Sequence, residues 1–144
     1  MAQVKQDKNF LKIYNNRYDI NKIAVIEVGR QYQDDVGMFR LRVFQPNGTF
    51  EDIDNTHNWD IEVVMELFNL VKQVLKQNEE FISFEKTKIV NLSLVKDIQF
   101  CEMMDKSYTK ICFDRMSFKC GKNYPEAYNK LLIKYNNYIS NATI

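Results

Sequence analysis

Asp52-Ile53-Asp54-Asn55-Thr56 reproduces the D-x-D-x-T spacing in which a first aspartate attacks a phosphoryl group and a second serves as acid and base. A few residues on, His57 and Asp60 join Asp52 and Asp54 in a set that could hold a hard divalent cation. The context argues against both. A phosphoryl-transfer aspartate needs a buried apolar strand leading into it, whereas Gly48-Thr49-Phe50-Glu51 follows a turn. Asp60 stands where a helix begins and is explained by the helix dipole. Cys101, Cys112 and Cys120 could join His57 around zinc, but no two of them share a zinc-knuckle spacing, so reduced thiols are expected and no metal. With no phosphate loop, no G-x-S-x-G and no Cys–His signature, the chain is expected to be non-catalytic and free of cofactors.

A different chemistry is offered by Met38, Arg40, Arg42 and Phe44, which alternate along one strand, with Arg30 and Tyr32 on the strand before. Guanidinium groups for phosphates and rings for base stacking, interleaved on an open sheet face, are what single-stranded nucleic acid requires. The competing reading is a half-solvated strand whose arginines pair with Glu27 or Glu51 across a hairpin. Asn47, Asn91 and Asn141 each begin an N-x-[S/T] triplet, read as coincidence in an Asn-rich chain.

The elements that must position these residues follow from periodicity. Residues 1–21 read as an arm or a short helix. Lys22–Tyr32 is β-branched and apolar, Met38–Gln45 turns Phe39, Leu41 and Val43 inward, and Thr49–Asp54 returns after the Pro46-Asn47-Gly48 turn. From Asp60 to Gln77 the apolar positions Ile61, Val64, Met65, Phe68, Val71 and Leu75 set a helix. Lys88–Cys101 and Tyr108–Lys119 read as two further strands, the second with a bulge near Asp114-Arg115. Pro125 opens a closing helix on which Tyr128, Leu131, Leu132, Tyr135, Tyr138 and Ile139 form an apolar row suited to a partner protein. No internal repeat is legible.

The chain has 144 residues, enough for a single core over residues 22–144, and 45% of them are apolar. Its net charge of +1 gives no general attraction to nucleic acid or anionic lipid, so any basic patch must be local. No apolar run can cross a bilayer and the start MAQVKQDKN is unlike a signal peptide, which predicts an intracellular protein, nuclear or cytoplasmic.

The predicted class is α+β, mainly β: a small antiparallel barrel with a helix between its third and fourth strands and an amphipathic C-terminal helix. That order, together with the tail PEAYNKLLIKYNNYIS at residues 125–140, resembles the OB-fold small subunits of replication protein A and of the telomeric CST complex. Gln45-Pro46-Asn47-Gly48 stands where that family has its usual turn. The resemblance implies a structural subunit of a telomere or replication complex. Its closing helix would pack on a larger OB-fold partner, and it would touch single-stranded DNA only weakly. The alternatives are a Whirly- or PUR-like single-strand binder and a stand-alone partner-binding protein such as a phage inhibitor or an immunity protein.

Overall fold

The computed structural model describes residues 4–33, 36–53, 60–84, 86–103, 106–120 and 125–142; for residues 30–33, 36–38, 84, 103, 106–107, 120, 125–128, 130 and 142 it describes the backbone alone. Among the described residues eleven strands and two long helices follow one another. β1 (Val4–Asp7), β2 (Phe10–Ile13) and β3 (Asn16–Asp19) lead through a 3-10 turn at Ile20–Lys22 into β4 (Val25–Gln33), β5 (Val36–Phe44), β6 (Phe50–Ile53) and α1 (Ile61–Leu75). β7 (Phe81–Phe84) and β8 (Lys88–Asn91) then lead through a second 3-10 turn at Leu92–Leu94 into β9 (Asp97–Met103), β10 (Lys106–Cys112), β11 (Ser117–Cys120) and α2 (Pro125–Ala142).

The strands pair antiparallel in three sheets, ordered β1-β2-β3, β6-β5-β4-β8-β7 and β11-β10-β9. The mainly-β antiparallel class is as expected, but the described strands form three open sheets and close no barrel. The central five-stranded sheet separates two cores. On one face Ile26, Leu41, Val43, Ile53 and Ile89 meet α1 and the inner side of β2, through Leu11 and Ile13. On the other, Val25 and Val90 meet Ile98 and Ile111 of the third sheet and Leu131 of α2. α1 is thus apolar on more than one side because it lies between the first sheet and the central one, as its wide apolar arc predicts. The Asp60 side chain caps it by accepting from the Glu62 N–H at 3.0 Å.

Three expectations are corrected. Residues 4–19 are not an arm or helix but a meander, whose two hairpin turns put Lys8 and Tyr14 at φ 55° and 53°. Left-handed residues in such turns are usually Gly or Asn, so Lys8 and Tyr14 do not mark the turns they make. The expected strand 88–101 is broken by the 3-10 turn at Leu92–Leu94, where the Asn91 Oδ1 accepts from the N–H of Ser93 at 3.0 Å and from its Oγ at 2.6 Å. The expected bulge near Asp114 is a hairpin: β10 and β11 pair Cys112 with Ser117, and the Phe113 N–H donates to the Met116 carbonyl at 2.8 Å.

A duplication illegible in the sequence emerges from the hydrogen bonds. The run β2–β3–turn–β4–β5–β6–α1 recurs as β7–β8–turn–β9–β10–β11–α2. The Ile20 N–H donates to the Asn9 carbonyl at 2.8 Å as Leu92 does to Glu80 at 2.6 Å. Ala24 donates to Phe44 at 2.8 Å as Lys96 does to Cys112 at 2.8 Å. Asp19 caps the first 3-10 turn as Asn91 caps the second, each accepting at 3.0 Å from the N–H two residues on.

Candidate nucleic-acid interface

The arginine patch on β4 and β5 is only partly assembled. Arg30 and Tyr32 lie on β4, but their side chains are outside the described residues, as is that of Met38. Arg40 stands opposite Gly29 and is half-buried. Arg42 is a strut: its Nε donates to Asp52 Oδ1 at 2.8 Å, its guanidinium sits 4.9 Å from the centre of the Phe50 ring, and it lies across Gly29, where an added Cβ would come within 3.2 Å of its Cδ. Its carboxylate partner is Asp52 on the neighbouring strand rather than Glu51. Phe44 is not on an open face. Its ring meets Phe118 edge-on at 4.7 Å and packs against the second core, because β11 covers that end of the sheet.

Cations gather elsewhere. The register of the first sheet places Lys5 opposite Lys12 and Lys12 opposite Arg17, so three cations form one row across three strands. Alternation sends Leu11 and Ile13 to the core and this row to the outer face. Phe10 shares that face, is 37% exposed, and carries the Arg17 guanidinium 4.5 Å from its ring centre. Such a contact contributes about 0.5–1 kcal/mol at an exposed site.

Beside the row, a cleft of about 360 Å³ runs between β3 and the β5–β6 hairpin, lined among others by Arg17, Tyr18, Lys22, Gln45 and Phe50. Phe50 is 53% exposed there, with its ring set by Arg42 and by Phe44 at 5.3 Å. The Tyr18 hydroxyl is buried without a hydrogen-bond partner among the described residues. Burial, and secondarily the nearby Glu51 carboxylate, push its pKa up to about 12. The hairpin turn that presents Phe50 is held by Asn47, whose Oδ1 accepts from the Thr49 N–H at 3.0 Å and Oγ1 at 2.7 Å. The Lys5–Lys12–Arg17 row is not legible in the sequence because the short strands that align it are not. Its trace is the period-two alternation of Lys5 with Asp7 and of Phe10 with Lys12.

The apolar row of α2 is drawn into the chain's own second core. Leu131 is 1% exposed, Leu132, Tyr135 and Tyr138 pack beside it, and the Tyr135 hydroxyl donates to the Val95 carbonyl at 3.0 Å. Ile139, at 39%, is the exposed member, and the side chain of Tyr128 lies outside the described residues. Asp54 and His57 also lie outside them, as does the Cys120 side chain; Cys101 and Cys112 are half-buried free thiols. Among the described residues no three metal-ligating side chains converge, and no helix is long and apolar enough to cross a membrane.

No family model matches the chain, and no curated protein does. Among solved structures it is similar to a LytTr DNA-binding domain from Bacillus cereus, with 14% identity and a TM-score of 0.44 over 91% of this chain and 95% of that one. Overlap at that level transfers nothing about binding to this chain.

Proposed function

We propose that the chain is a non-catalytic protein that binds single-stranded nucleic acid, with phosphates on Lys5, Lys12, Arg17 and Lys22 and one base over Phe50 in the cleft. The observation that carries this reading is the cross-strand row. Like charges directly opposite one another destabilise a sheet, and here three cations are so placed over a span of about 10 Å. A polyanion laid along the row relieves that repulsion. An exposed ring in a narrow cleft then suits an unstacked base better than a duplex. Leu131, Leu132, Tyr135 and Tyr138 are given no part in it, since they pack within the chain's own second core.

The test is fluorescence anisotropy with a labelled single strand and with the same sequence as duplex. Phe50→Leu should weaken single-strand binding by about 1–3 kcal/mol with the melting temperature unchanged, because the ring is half exposed. Equal affinity for both nucleic acids together with an indifferent Phe50→Leu variant would sink the reading.

A further inference from the structure

The duplication exposes a seat that is filled in one half and open in the other. β2 and β7 are equivalent strands. The outer edge of β2 is covered by β1, which pairs Lys5 with Lys12. Among the described residues β7 is the last strand of the central sheet and pairs only with β8. Which groups it offers follows from register. The Asn91 N–H donates to Ala24 across the sheet at 2.9 Å, so on β8 residues 89 and 91 address β4 while 88 and 90 address β7. Val90 faces Ile82, which leaves the N–H and carbonyl of Ser83 directed to the open edge.

Along that edge runs a groove lined by Phe81, Ile82 and Ser83, by one stripe of α1, and by Lys134 of α2. The stripe is ordered by charge: Glu62 and Glu66 at its start, Asn69 and Gln73 at its middle, Lys76 at its end with Lys72 beside it. All six are exposed, and among the described residues none of the four charges is in an ion pair. The helix dipole favours acids first and bases last. It does not favour like charges at i and i+4, yet both Glu62/Glu66 and Lys72/Lys76 are spaced so.

We infer that this edge is the interface of a two-fold homodimer in which β7 pairs antiparallel with β7 of a second copy. A two-fold axis perpendicular to the sheet leaves both α1 helices on the same face, antiparallel and adjacent. Glu62 and Glu66 of each copy then meet Lys72 and Lys76 of the other, so the stripe is its own complement. Ser83 supplies the main-chain bonds as Lys12 does to Lys5 in the first half. The inference does not depend on nucleic-acid binding.

Sedimentation equilibrium over a concentration series in low salt should show a monomer–dimer equilibrium that weakens as salt rises. Ser83→Pro removes an outward N–H and no bond to β8, so it should give a folded monomer. Reversing Glu62 and Glu66 to Lys should raise the dissociation constant about tenfold or more, and adding Lys72→Glu with Lys76→Glu should restore it. A wild-type chain that stays monomeric at the highest soluble concentration overturns the inference. So does a dimer that ignores both Ser83→Pro and the charge reversal.

Discussion

Asn91 joins the two halves of the duplication, and its replacement measures how much that joint contributes. The side chain is 1% exposed. Its Nδ2 donates to the Ile23 carbonyl at 2.8 Å and to the Ile20 carbonyl at 3.4 Å, while its Oδ1 takes the two bonds from Ser93. Asn91→Ala leaves the buried Ile23 carbonyl unpaired and removes the cap from the part-buried Ser93 N–H. At about 1–3 kcal/mol for the carbonyl and about 1 kcal/mol for the cap, the expected loss is roughly 2–4 kcal/mol. Asp19→Ala removes the equivalent cap at a half-buried site with one bond and should cost only about 1 kcal/mol. Urea unfolding followed by far-UV circular dichroism reports both. Because the Ile20–Lys22 turn also carries Lys22 into the cleft, Asn91→Ala should weaken nucleic-acid binding as well. A loss below about 1 kcal/mol would show that the Asn91 side chain is incidental and that the two halves are held by the β4–β8 backbone pairing and apolar packing.

Tyr18→Phe should be neutral or stabilising, since it removes a hydroxyl buried without a partner. The sign of its pH effect is fixed: with the folded pKa raised to about 12, the folded state resists ionisation, so stability falls as pH rises from about 10 toward 12. Melts at pH 9 and 11 should show a smaller drop in the Phe variant than in wild type. Leu131→Ala should cost about 2–5 kcal/mol and lower the urea midpoint, because the side chain is fully enclosed in the second core. A Leu131→Ala chain as stable as wild type would return α2 to the role of a docking helix.

The sequence made legible the parts whose signals are long or regular. β5 shows clean alternation, α1 has the 3.6-residue period and an Asp cap, and α2 starts at Pro125. What it hid was short. β1 to β3 and β7 have four residues each, and the turns of the first sheet depend on Lys8 and Tyr14 in a conformation that neither residue advertises. Two of the N-x-[S/T] triplets set aside as chance are turn devices, since Asn47 and Asn91 both fold back onto the hydroxyl residue two positions on. The expected patch on β4 and β5 is only partly assembled for the same reason. Arg42 and Phe44 alternate as a surface row should, but whether the second face of a strand is open depends on what folds over it, and here β11 does. The Lys5–Lys12–Arg17 row, by contrast, exists only once register is known.

Salt dependence of single-strand binding tests the central claim most directly. Three to four neutralised phosphates predict a slope of log affinity against log salt of about −2 to −3, at roughly −0.7 per phosphate for single strands. Replacing Lys5, Lys12 and Arg17 together by Gln should remove about two units of that slope and leave folding intact, since all three lie on the outer face. Arg42→Ala should lower stability through loss of its bond to Asp52 while leaving the slope unchanged. A triple variant that keeps the wild-type affinity and slope would contradict the account.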